Sequence, residues 1–183
     1  MYKAALLFSV SSLLSLTACV NDLEEIAQFE QSINPEIELG QGVRIIYSDS
    51  AKLRVIIEAP TMHNFVAPGQ PKQEFPDGVL VTFFDELQDT SSILSAQWGR
   101  YDRKENRVTV RDSVVWQSVD DRMLETEELI WDQRDAMVTT NKFVVVTQPD
   151  AIIHGYGLEA PQDFSSARIK QVTGRVPINQ PEQ

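Results

Sequence analysis

One residue of the 183-residue chain is placed for covalent modification: Cys19, its only cysteine, directly behind Leu16-Thr17-Ala18. Lys3 supplies a positive start, Ala4 to Leu16 an apolar run, and small residues the approach to the cysteine. This is the layout of a lipoprotein export signal, in which the cysteine becomes the first mature residue and carries acyl chains on its sulfur and amino group. The apolar run is shorter than the ~20 residues a membrane-spanning helix needs. A buried, unmodified thiol is the plainer alternative, and the distance from the chain start favours acylation. A single acyl chain, at about 0.8 kcal/mol per buried CH₂, holds a protein only marginally, whereas two or more hold it stably. The rest of the chain then needs no membrane affinity of its own.

The other residue types that carry chemistry are poorly arranged for it. His63 and His154 are the only histidines, and neither has a Cys, His or carboxylate partner at metal-ligand spacing. Gly155-Tyr156-Gly157 lacks the third glycine of a phosphate loop and ends a strand-like run, where glycines serve a bend or bulge. Carboxylates gather at Asp120-Asp121 and at Glu125, Glu127 and Glu128. Acid–base chemistry on a sugar needs two carboxyl groups facing each other across a cleft, and this cluster reads instead as a solvated strand face. Serine occurs in no Gly-x-Ser-x-Gly elbow. The expectation is a non-enzyme with no catalytic residues, no metal and no cofactor.

Twenty-seven acidic against sixteen basic side chains give a net charge of -11. Lys3 is the only charge before Cys19, so cleavage there takes -11 to -12. Such a surface excludes nucleic acid as a partner, because phosphate contacts need clustered Lys and Arg. It also disfavours adhesion to an anionic bilayer by charge. The remaining ~165 residues suit one domain with a real core.

Leu23, Ile26, Phe29 and Ile33 have near-helical spacing, which predicts a short helix or flexible tether after Cys19. From Val43 the period becomes two: Leu53, Val55 and Ile57 alternate with Lys52, Arg54, Ile56 and Glu58, as in a strand with one buried face. Similar runs follow at 79–84, 93–101, 107–116, 123–131, 137–147, 151–158 and 167–176, separated by polar turns such as Asp102 to Asn106 and Gln148-Pro149-Asp150. Short strands joined by tight turns predict an all-β, antiparallel sandwich or roll. Pro60 to Pro76, with Pro68, Gly69 and Pro71, reads as one long exposed loop. The expected organisation is a signal peptide at 1–18, a lipidated tether at 19–42, a β domain at 43–176 and a disordered tail at 177–183.

Strand parity places Val79, Val81 and Phe83 on one face, as it does Val108, Val110, Val114 and Trp116, and likewise Phe143 and Val145. These residues fill an ordinary closed core or line a groove between sheets that do not fully close, and parity leaves both open.

The stretches Ala96 to Tyr101, Asn106 to Val110, Leu124-Glu125-Thr126-Glu127-Glu128-Leu129-Ile130-Trp131, Gly155-Tyr156-Gly157-Leu158-Glu159 and Asp163-Phe164, in that order, resemble the LptC family. The resemblance spans roughly Val43 to Val176. It implies an open β-jellyroll, two antiparallel sheets in a V with lipopolysaccharide acyl chains between them. The residues expected to line that groove are Leu53, Val55, Ile57, Val79, Val81, Phe83, Val108, Val110, Phe143 and Val145. Gly155 and Gly157 match family glycines. The implied partners are lipopolysaccharide, an ATP-driven transporter of the LptB/F/G type and a following LptA-like bridge protein, docked through an edge strand such as 167–176. Many members carry an uncleaved transmembrane helix; here an acylated Cys19 takes its place. The expected location is therefore the inner membrane facing the periplasm, with the outer membrane as the alternative. A structural or adhesive sandwich with a closed core and no lipid cargo is the competing expectation.

Overall fold

The computed structural model describes residues 36–177. The signal peptide and residues 19–35 of the tether lie outside the described residues, as do residues 178–183 of the tail. Eleven strands follow in order: β1 (Ile37–Asp49), β2 (Lys52–Phe65), β3 (Lys72–Phe75), β4 (Val79–Phe84), β5 (Thr90–Ala96), β6 (Trp98–Asp102), β7 (Arg107–Ser118), β8 (Met123–Asp132), β9 (Met137–Gln148), β10 (Ala151–Pro161) and β11 (Arg168–Pro177). The fold is all-β and antiparallel, with the layered arrangement of a β-jellyroll. The strands expected from period-two patterning are present, and β1 begins at Ile37, inside the stretch read as tether.

All eleven strands belong to one sheet. β3 and β4 are a single strand bent at Pro76-Asp77-Gly78, and β5 and β6 a single strand bent at Gln97. β2 pairs with both halves of the first, and β7 with both halves of the second. The sheet is thus a continuous meander in which each strand lies beside the next one in the chain, without a crossover.

What turns this meander into two layers is a crease. Gly42 (φ 58°), Gly78 (φ 104°), Asp112 and Ser113 (φ 62° and 53°) and Gly157 (φ 71°) occupy left-handed backbone, and the pairing register shifts between Arg111 and Val114, between Thr126 and Ile130, and between Tyr156 and Leu158. Aligned across neighbouring strands, these irregularities fold the sheet over, since a bulge bends its strand and sharpens local twist. The Gln97 N–H donates to the Asp112 carbonyl at 2.9 Å and ties the crease together there. One arm holds β4, β5 and the adjoining ends of β2 and β7–β11; the other holds β3, β6 and the opposite ends. On β8 and β10 the inward parity switches at the crease, from Leu124 and Thr126 to Leu129 and Trp131, and from Ile153 and Gly155 to Leu158 and Ala160.

The buried core runs from Ala59, Phe75, Val79, Leu94 and Ala96 of β2–β5 into β7–β10, where its most deeply buried side chains lie. Val114 (1 % exposed), Leu124 (2 %), Val144 (0 %), Leu158 (1 %) and Ala160 (0 %) are sealed there, and each large apolar side chain so buried contributes about 1.5–3 kcal/mol. The segment 60–76 is not one long loop. β2 continues through Pro60 to Phe65, because β1 pairs along its length, and β3 starts at Lys72, which leaves only 66–71 irregular. Pro60 faces Gly42 at the crease, where its missing N–H is tolerated.

Candidate functional site

The two flanks of the interior differ. On β2 and β4 the register sets Val55 beside Phe83 and Ile57 beside Val81, continued by Leu94 on β5 and Ile45 on β1. Ile45, Ile57, Val81 and Phe83 pack against the buried core yet are themselves only half-buried. Leu53, at the strand start, shares this face and is half-buried too. An apolar face thus passes from buried core side chains to half-buried ones, which outline a partly open trough along β2 and β4.

The structure places eight of the ten expected groove residues on this inner face. Leu53, Val55, Ile57, Val81 and Phe83 form the open trough. Val79 and Val110 (7 % and 6 % exposed) lie near the crease, and Val108 is half-buried on the opposite arm. Phe143 and Val145 are the correction. Val145 pairs with Glu125 and His154, opposite in facing to the sealed Val144 and Val146, and Phe143 stands on the outer face against Tyr156 with ring centroids 5.1 Å apart. His154 lies beside that ring, whereas His63 meets Phe65 two residues along β2. Of the carboxylates, Glu128 pairs with Arg111 at 2.7 Å, and Asp120 with Arg122 at 3.6 Å.

At the trough's rim, Lys52 Nζ meets Glu86 at 2.6 Å and the Arg54 guanidinium meets the same carboxylate. Hydrogen bonds from Lys52 and then Arg54 hold the Glu86 carboxyl down at about 2. The pair is exposed, so its weight in stability is small. The Leu53 N–H donates to Gln88 Oε1 at 2.8 Å and fastens the rim to the β4–β5 turn.

The opposite flank is closed by a strap. Residues 162–167 leave the tip of one arm, where the Gln162 N–H donates to the Ala136 carbonyl, and cross to the other. There Phe164 stacks on Trp116 (4.3 Å, 22°) and its carbonyl accepts from the Arg122 guanidinium at 3.0 Å. Beneath it a cleft of about 90 Å³, lined by Leu124, Val146 and Leu158 among others, has room for a few waters and no acyl chain. Sequence reasoning missed this strap, because nothing in the order of residues links Phe164 to Trp116.

One polar atom inside is unpaired. Trp131 faces inward between Val108 and Val138, and its Nε1 is solvent-inaccessible with no acceptor among the described residues. Leaving such a donor unmade costs about 1–3 kcal/mol. The two motif glycines act differently. At Gly155 a Cβ would stand 2.5 Å from the Gln171 carbonyl oxygen and from Ile169 Cγ2, so β11 approaches only because the side chain is absent. Gly157 supplies the left-handed bend.

A family model described as "Lipopolysaccharide-assembly, LptC-related" matches residues 2–176. The chain belongs to the LptC family. A search of curated proteins gave no match. The match takes in the whole described β domain and the apolar run before Cys19. Membership gives the chain a role in lipopolysaccharide transport, as a component of the Lpt transport system associated with the periplasmic side of the inner membrane. In this chain the creased meander leaves part of its apolar inner face half-buried.

Proposed function

We propose that this LptC-family chain is a lipid-anchored conduit. Residues 1–18 direct export, Cys19 becomes the acylated first residue of the mature protein, and the segment up to β1 tethers the β domain to the inner membrane on its periplasmic side. An LptB/F/G-type ATP-driven transporter delivers lipopolysaccharide, whose acyl chains lie in the trough of Leu53, Val55, Ile57, Val81 and Phe83. The chain performs no reaction; it lowers the cost of moving apolar chains through water by covering them.

The observation that carries this reading is the half-buried inner face continuous with a sealed core. A sandwich built only for stability gains by covering those side chains, since about 25 cal/mol is recovered per Å² of apolar surface removed from water. Hand-over to an LptA-like protein proceeds through a sheet edge. Among the described residues β11 pairs only with β10 and β1 only with β2, so each presents there an edge backbone ladder as a template. On β11, Lys170 is engaged by Glu159 of β10 (3.0 Å) and Arg175 by Asp150 in the turn before β10 (3.9 Å).

Depleting the chain from cells and following newly made lipopolysaccharide tests the proposal. Arrival at the cell surface is expected to stall, with the lipid retained at the inner membrane. Undiminished arrival contradicts the proposal and favours an adhesive or structural lipoprotein.

A further inference from the structure

We infer that the Trp131 indole N–H is a hydrogen-bond donor to an acyl ester or amide carbonyl of the bound lipid, setting the depth at which the lipid rests; this builds on the lipid-transfer reading above. Trp131 is the penultimate residue of β8, at the tip of its arm, where the Asp132 carboxylate accepts the Arg134 N–H at 3.0 Å in the turn that follows. Its ring packs against the core on the inner face, flanked by Val108 and Val138, while Nε1 is sealed from solvent and has no acceptor among the described residues. Phenylalanine would fill an apolar position of this kind without leaving a donor unsatisfied, and buried donors are rarely left so. The nitrogen is therefore a liability in the lipid-free protein and an asset once an acceptor enters.

The acceptor's chemistry follows from the surroundings. A neutral single donor between valines suits a neutral oxygen, whereas a phosphate calls for a cation at the contact; the nearest arginine, Arg107, is paired with Glu105 (2.8 Å) and Asp132 (3.5 Å). A lipid lying with its chains between the arms and its sugar outside has its ester and amide carbonyls as the first polar atoms inside the arm tips, and Trp131 stands at such a tip, one residue from the end of β8. An indole is suited to such a boundary, being apolar over most of its area and polar at one atom.

The three tryptophans give a built-in control: Trp98 lies between Arg100 and Arg111 (5.9 and 5.3 Å), and Trp116 stacks on Phe164. The full chain, labelled at its indole nitrogens, is titrated with detergent-solubilised lipopolysaccharide, and its affinity is then compared for a glucosamine lipid with ester-linked chains and its ether-linked counterpart. The expected result is a downfield shift of the Trp131 indole proton with lipopolysaccharide while Trp98 stays fixed, and a preference of about five- to tenfold for the ester lipid, the size of one neutral hydrogen bond. Trp131→Phe should bind both lipids with the ether-lipid affinity. Equal affinities in the wild type, or a Trp131→Phe protein that still prefers the ester, overturn the inference and leave the lipid-transfer reading standing. Should that variant not fold, a Trp131 resonance unmoved by bound lipopolysaccharide overturns it alone. Failure of lipopolysaccharide and both lipids to bind counts against the lipid-transfer reading itself.

Discussion

Leu158→Ala is expected to lower the unfolding free energy by about 3–5 kcal/mol, the upper part of the range for a buried leucine. Leu158 is 1 % exposed and shares the closed flank with Leu124, Val146 and Phe164, around a cleft that already holds about 90 Å³. Its neighbours sit on hydrogen-bonded strands or on the strap, so little can collapse into the added void. Domains of this size are stable by only about 5–15 kcal/mol, so a large part of the total goes. A denaturant titration should show a lowered midpoint with an unchanged slope, since the surface exposed on unfolding is nearly the same. Val81→Ala, on the half-open trough, removes less buried surface and leaves no enclosed void; a loss of about 1 kcal/mol or less is expected. Equal losses at the two positions contradict the division of the interior into a sealed flank and an open one.

Gly155→Ala is expected to cost about 2–3 kcal/mol, although the backbone at Gly155 accepts alanine, because the obstacle is space. The new methyl would sit 2.5 Å from the Gln171 carbonyl oxygen and from Ile169 Cγ2, and the first of these is backbone that cannot rotate away. Either β10 or β11 must move, with the cost typical of an overpacked site. Hydrogen exchange should locate the damage: amides of β11 around Gln171 lose protection, while those of β7 and β8 keep it. Gly157→Ala is milder. Its Cβ would touch the flexible Lys170 side chain at 3.0 Å, and the strain comes from φ 71°. If β11 is the docking edge, Gly155→Ala also weakens binding to the following bridge protein, and Gly157→Ala does so less.

The fold class was legible because alternation of apolar and polar residues is a local signal that a half-buried strand must carry. Leu53, Val55 and Ile57 could be assigned to one face of their strand by parity, and Val79, Val81 and Phe83 to one face of theirs; joining the two faces took the resemblance, and the register sets Val55 beside Phe83 and Ile57 beside Val81. Phe143 and Val145 could not, because Phe143-Val144-Val145-Val146 is apolar throughout and parity has nothing to act on; the irregular backbone at Asn141-Lys142 sets the phase instead. The same limit explains β8 and β10, where inward parity switches at the crease, an event visible only in the pairing of neighbouring strands. Pro60 and the glycine- and proline-rich stretch after it suggested a loop, but β1 pairs across Pro60 and keeps β2 extended. The strap at Phe164 and the unpaired indole of Trp131 depend on contacts distant in the chain, so no local pattern announces them. Cys19 carried the sharpest local signal, and it lies outside the described residues.

The account turns on which face of the sheet meets lipid, and site-specific photocrosslinking in living cells asks that directly. A photoreactive residue at Val81, on the inner face, is expected to yield a lipopolysaccharide adduct that depends on transporter activity. The same residue at Val145, on the outer face of the β9–β10 region, is expected to yield none. Adducts at Val145 with none at Val81 would contradict the account.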